Sequence, residues 1–271
     1  MGSQALINDI YPGNDQRSKL YNQMESDLEE KGLTIPHIGN SSSDNFTLKD
    51  CSVTPILRPS DLPVRTNVLH LSTKFSIPIW TIVQDTFKPY FDKAIWFQNH
   101  SLYHFTMFQT SHQKSPVLAT ENEVEEEASA VRSVADRLEP LQVFLDRVIL
   151  TSTGVLVGCW QMMSGSDPIT VRSELRAALP KAPEIQAYDD AILHTSFARL
   201  LGFPVSSDEV PSSEHQILQN LVDRLNNRIR GFEASITELW FVEELDVMAL
   251  ALNGRMTIRQ FQLGGGTILR P

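Results

Sequence analysis

Apolar positions along the chain recur in two rhythms, every second residue and every third or fourth, which mark strands and helices respectively. Arg17–Lys31 carries Leu20, Met24 and Leu28 at spacing four among many charges and predicts a polar helix. Asn67–Ser72 predicts a short strand, and Ile79–Phe91 a helix through Ile82, Val83, Phe87 and Tyr90. Leu102–Phe108 alternates at period two. Glu121–Leu138 predicts a helix capped by Thr120, with acidic residues in its first turns where the helix dipole favours them. Leu141–Leu150 and Gly154–Met162 predict a hairpin around Thr151-Ser152-Thr153. Pro168–Leu179 predicts another amphipathic helix, with Asp167 as cap and Pro168 at its first position.

The order then repeats. Ala191–Leu201 predicts a strand and Ser212–Arg230 a helix. Ser235–Glu243, Leu245–Leu252 and Met256–Leu263 read as strands, the last two joined by the hairpin signal Asn253-Gly254. Strand–helix–hairpin, a connector helix, and strand–helix–hairpin again amount to an internal duplication. The expected fold is α+β and bilobal, with two antiparallel sheets lining a central cleft and helices outside. Residues 1–66 stand apart from the repeat. Gly39–Asp44 has linker composition, and Pro55, Pro59 and Pro63 punctuate an extended stretch. They are expected to form an N-terminal arm or appendage, and residues 67–271 the two-lobed domain.

Composition narrows the function. A chain of 271 residues, 41% hydrophobic and 21% charged, is long enough to bury a sizeable core. Its two cysteines, Cys51 and Cys159, make neither a disulfide framework nor a zinc knuckle. With 23 Lys and Arg against 33 Asp and Glu, the net charge is −10, a field that repels polyanions. Duplex DNA is therefore a poor partner, and a small phosphorylated ligand or the end of a strand a better one. No run is apolar and long enough to span a membrane, and no signal-peptide pattern is present. A soluble intracellular setting, cytoplasm or nucleus, is expected. The compartment stays open, because Met1-Gly2-Ser3 is also what removal of a targeting segment would leave.

Of seven histidines, His104 and His194 occupy equivalent points of the duplicated pattern, 90 residues apart. Each opens a His-x-hydroxyl motif, His104-Phe105-Thr106 and His194-Thr195-Ser196. In a strand, residues i and i+2 share a face, so each strand presents an imidazole and a hydroxyl together. Two imidazoles can remove a proton on one side of a phosphodiester and deliver one on the other, with hydroxyls holding the non-bridging oxygens. Tyr103 and Phe105 point the other way and read as core. His100 and His104 are no metal pair, since four residues along a strand are ~13 Å apart. Glu123–Glu127 reads as a solvated first helical turn, and Gly264-Gly265-Gly266 lacks the helix and lysine of a phosphate loop. Neither a metal nor a cofactor is expected.

At these residues the sequence resembles the two-histidine (2H) phosphoesterase superfamily, which includes the RNA 2′,3′-cyclic phosphodiesterases formerly called 2′–5′ RNA ligases. Trp96 followed by Leu102–Phe108 is similar to its first motif, and His194-Thr195-Ser196-Phe197-Ala198-Arg199 to its second. Thr195 stands where the family prefers an aliphatic residue, and Ser196 where Thr is usual. The resemblance spans about residues 67–263. It implies a metal-independent phosphodiesterase acting on 2′,3′-cyclic phosphates of nucleotides or RNA ends. His104 and His194 would share the acid and base roles, and Thr106, Ser196 and Arg199 would bind the phosphate. Arg199 faces away from His194 under strict alternation, so a bulge or its long side chain must bring it back. The alternatives are an RNA 3′-end exonuclease with the same chemistry and a non-catalytic nucleotide-binding or scaffold module, with the N-terminal arm as a protein-docking element.

Overall fold

The computed structural model describes residues 13–34, 45–49, 52–91, 93–202 and 211–265. Helix α1 (Gly13–Lys31) and a small hairpin, β1 (Phe46–Lys49) and β2 (Ser52–Pro55), precede the long strand β3 (Pro59–His70). The chain continues through α2 (Thr73–Phe91), β4 (Ile95–Phe97), a 3-10 turn (His100–Leu102) and β5 (His104–Ser111). Next come α3 (Glu121–Arg137), β6 (Leu141–Leu150), β7 (Val155–Ser164) and α4 (Pro168–Ala178). The second half holds β8 (His194–Leu200), α5 (Pro211–Ile229), β9 (Glu233–Ile236), β10 (Glu238–Asp246), the one-turn helix α6 (Ala249–Leu252) and β11 (Met256–Gln262).

Among the described residues the strands form two larger sheets, ordered β11-β10-β3-β5 and β4-β8-β7-β6-β9, and every pairing is antiparallel. The fold is α+β, as the alternating pattern predicts. The halves are interlocked, because the β6–β7 hairpin of the first half pairs with β8, while β10 and β11 of the second half complete the sheet of β3 and β5. Neither sheet can be finished by one half alone.

Local signals explain most boundaries. Thr120 forms the expected cap, its Oγ1 accepting the Glu123 N–H while Glu123 reaches back to the Thr120 N–H. Asp167 caps α4, with Pro168 at its first position. The strand expected at Asn67–Ser72 is the end of a longer one. It starts at Pro59, and residues 60–63 bulge out opposite Glu244 and Asp246, where the missing N–H of Pro63 breaks no ladder bond. Of the strand expected at Leu245–Leu252, only Leu245 and Asp246 form, as the end of β10. Glu244 accepts the Leu250 N–H at 3.0 Å, Asp246 accepts the Arg255 N–H at 2.8 Å, and the apolar run folds into α6. Asn253, left-handed at φ 58°, ends that turn, so Asn253-Gly254 closes a helix rather than a two-residue hairpin. The linker read at Gly39–Asp44 lies outside the described residues.

The apolar stripes of α2, α3, α4 and α5 enter one core with Leu69, Phe105, Trp160, Phe197 and Phe241. Helix α1 packs on the opposite face of the second sheet. Its Tyr21 sits among Ile149, Val157, Cys159 and Ile192. This largely polar helix is held by a few buried groups. Arg17 bridges Asp167 at 2.9 Å, Gln161 at 3.1 Å and the Ala191 carbonyl at 3.2 Å. The Tyr21 hydroxyl lies 2.8 Å from the carbonyls of Trp160 and Leu193.

A second buried arginine joins the halves. Arg172 of α4, 4% exposed, donates to Thr106 O at 2.9 Å and Met107 O at 3.0 Å on β5. It also donates to Asp190 O at 2.6 Å and Ile192 O at 2.8 Å, just before β8. Charge-assisted bonds of this kind each contribute about 1.5–3 kcal/mol, and removing the donor strands buried carbonyls. Arg172→Met should therefore lower stability by about 3 kcal/mol or more, read as a reduced urea midpoint. An unchanged midpoint would mean these carbonyls find other partners.

Candidate active site

Both motif strands break their alternation at the same place. On β5, Thr106 pairs with Val68 and Phe108 with Asn67, leaving Met107 as an extra residue. On β8, Ser196 pairs with Val157 and Ala198 with Leu156, leaving Phe197 as the extra one. A bulge shifts every later side chain to the other face. The half-buried positions are accordingly His104, Thr106 and Gln109 on β5 and His194, Ser196 and Arg199 on β8, with buried residues between them. Arg199 thus returns to the face of His194 and Ser196. Gln109 is its counterpart on β5.

The opposite faces are packed tightly enough to hold these bulges. Tyr103 and Phe197 lie 5.3 Å apart between ring centroids, and Phe105 meets the edge of Trp160 at 5.7 Å. Phe197 occupies the space left by the missing side chain of Gly158, where a Cβ would stand 2.3 Å from its Cζ. Close approach of ring to backbone is what demands glycine there.

Register defines the rest of the inner faces. On the first sheet, His70 is opposite His104, Val68 opposite Thr106 and Thr66 opposite Gln109, with Trp240, Val242 and Glu244 following on β10. On the second, Cys159 is opposite His194, Val157 opposite Ser196 and Val155 opposite Arg199. Contacts between β5 and β8 bring the two motif strands side by side. At one end α6 ties the sheets together: Gln98 donates to Leu250 O at 2.6 Å and Trp96 Nε1 to Ala251 O at 3.1 Å. Trp96 therefore anchors α6.

The two imidazoles differ in their surroundings. The 3-10 turn before β5, capped by Asn99, aims the Leu102 carbonyl at His104 Nδ1, 2.7 Å away. That bond fixes the Nδ1–H tautomer and leaves Nε2 as the free acceptor. Burial pulls the His104 pKa below its usual 6.5, the carbonyl bond opposes this, and His70 adds to the lowering. His194 has no carbonyl bond from a described residue and meets the Tyr188 ring edge-on at 4.8 Å. Burial first, then the charges of Arg172 and His104, bring it down to about 4. Both imidazoles are held toward the neutral form, His194 the further.

The structure brings His104 and Thr106 onto one wall, and His194, Ser196 and Arg199 onto the other. Among the described residues no ion pair engages Arg199, and no group of three or more potential metal ligands exists. His70, Arg172, Tyr188 and Glu244 escaped the sequence reading. Only strand register reveals His70 and Glu244, Tyr188 comes from the irregular stretch before β8, and Arg172 resembles any helical cation. His100 packs at 5.3 Å against Trp80 instead of facing a ligand.

No protein-family model matches the chain, and no curated protein matches it. Solved structures do. TT0787 of Thermus thermophilus superimposes with a TM-score of 0.51 at 13% identity, over 75% of this chain and 99% of that one. ATU0111, a conserved protein of unknown function from Agrobacterium tumefaciens, gives 0.53 at 14% identity, over 89% and 98%. E. coli LigT gives 0.45 at 15%, over 75% and 99%. The first two share the fold of this chain.

The electrostatics have a direct readout. Histidines with folded pKa values below 6.5 stay neutral until the pH falls beneath that value, so in an NMR titration both rings should protonate late, His194 last. A His194 titrating above His104 would contradict the assigned asymmetry.

Proposed function

We propose that the protein is a metal-independent two-histidine phosphodiesterase that opens 2′,3′-cyclic phosphates of nucleotides or RNA ends. The observation that carries this reading is the matched pair of bulged strands, each turning one imidazole, one hydroxyl and one long polar side chain to the same face. The fold shared with TT0787, a member of the 2H superfamily, supports it.

In the proposed reaction His104 Nε2 takes a proton from water as its oxygen attacks phosphorus. The P–O bond to one ribose oxygen breaks, and His194, neutral in the free chain and protonated once the phosphate anion is bound, gives its proton to that leaving oxygen. One water is consumed and a nucleoside monophosphate forms. His104 is left charged and His194 neutral, and exchange with solvent resets both. Thr106 and Ser196 donate to the non-bridging oxygens, and Arg199 neutralises the charge that builds there. Since two imidazoles carry both proton transfers, no step calls on a metal.

The test is incubation with a 2′,3′-cyclic mononucleotide and an RNA ending in a 2′,3′-cyclic phosphate, in EDTA, with products followed by mass spectrometry. The expected product is heavier by one water. His104→Ala and His194→Ala should each lose roughly 10²–10⁴-fold in kcat while keeping the wild-type circular dichroism spectrum. Thr106→Ala and Ser196→Ala should lose less. Full activity in either histidine variant would remove the assignment, and shortening of the RNA would move it to an exonuclease. Loss of activity on chelation would point to a metal.

A further inference from the structure

The two walls of the cleft are covered by different helices. Helix α1 covers the second sheet at Val157 and Cys159, the cross-strand neighbours of Ser196 and His194. Substrate atoms beyond His194 in that direction would collide with α1. On the first sheet the cover is α6, whose Leu250 clusters with Val68 and Val242. Past Thr106 the inner face continues through Gln109 to Glu244, into a cavity of about 440 Å³.

The cavity has a mixed apolar and polar lining. Its apolar lining includes Ile185, 82% exposed, Met248, held left-handed at φ 56°, and Val64. Gln109, His112, Gln113, Lys114, Gln186 and Glu244 supply the polar groups, of which Gln109 and Glu244 stand on the inner face of the sheet. The Gln109 side chain has no hydrogen-bond partner among the described residues, whereas its backbone is clamped to Gln186, which accepts the Gln109 N–H at 2.7 Å and donates to its carbonyl at 3.1 Å. Glu244 accepts from the backbone N–H groups of Leu250 and Ala249, and burial pushes its carboxyl up to about 7, so it can both donate and accept near neutral pH. On the same face, Thr66 Oγ1 is buried without a partner among the described residues. Gln186 and Ala187 line the cavity, and the next residue, Tyr188, touches His194, so one segment walls both spaces. Along β5 the step from Thr106 to Gln109, with its bulge, is roughly 7–10 Å. That is the reach of a ribose and its base.

Resting on the phosphodiesterase reading, we propose that this cavity seats the nucleobase of the nucleoside attached to the reacting phosphate. The apolar lining takes the ring faces, and Gln109 and Glu244 read its hydrogen-bonding edge. A site built from buried donors and acceptors discriminates strongly, because the wrong base leaves them unpaired. The substrate then lies with its phosphate between the histidines and its base over the first sheet, and α1 excludes a second nucleoside on the other side.

The probes are the four nucleoside 3′-monophosphates and inorganic phosphate, titrated by calorimetry into the full chain. The wild type should bind its best base at least ~10-fold more tightly than its worst, a difference of about 1.4 kcal/mol. Gln109→Ala should compress that spread to within ~3-fold while the affinity for inorganic phosphate is unchanged. Glu244→Gln should alter the order of the bases. A wild-type spread below ~3-fold, no binding of any of the four, or a ~10-fold spread retained in both variants would overturn the proposal. Base-dependent binding that both variants lose, in a chain that turns over no cyclic phosphate, would support the cavity as a base site and remove the phosphodiesterase reading alone.

Discussion

The guanidinium of Arg172 is buried and faces four backbone carbonyls, two in the bulge of β5 and two in the segment that delivers β8. Nothing else in the described chain ties both motif strands to a single rigid group of atoms. The planar fork fixes direction as well as distance, so the approach of His104 to His194 is set from behind, by a residue that touches neither. The charge has a second effect. It adds to burial, the larger cause, in lowering the His194 pKa, and the same field favours an anion in the cleft. Structural and electrostatic duties thus fall on one side chain.

Interlocking of the halves gives this staple its purpose. Each sheet needs strands from both halves, so neither motif strand is positioned until the other half has folded. The N-terminal helix then reinforces the second sheet. Tyr21 sits under the Trp160 and Leu193 carbonyls, next to His194, and Arg17 grips the Asp167 cap of α4, the helix that carries Arg172. Residues that look like an appendage in the sequence are bonded to the framework of the site.

The readable part of this architecture is what local physics encodes. Periodicity marks α3, α4 and the β6–β7 hairpin, caps mark their ends, and repetition of His-x-hydroxyl marks the two motif strands. The bulges at Met107 and Phe197 leave no trace in composition, since an extra apolar residue in a buried run is indistinguishable from its neighbours. Only pairing with β3 and β7 exposes them, and they decide where Gln109 and Arg199 point. Asn253-Gly254 misleads for a similar reason: the same left-handed preference that builds a hairpin also ends a helix, and the buried carboxyls of Glu244 and Asp246 choose between them. His70 and Glu244 join the site through register with strands distant in sequence.

The central claim is that β5 and β8 converge on one phosphorus atom. A crystal structure with a nucleoside vanadate, a pentacoordinate mimic of the phosphoryl transition state, tests it most directly. The account predicts His104 and His194 on the two apical oxygens, Thr106 and Ser196 on the equatorial ones, and Arg199 beside them. Vanadate held by one motif strand, with the other imidazole out of hydrogen-bonding reach, would contradict it.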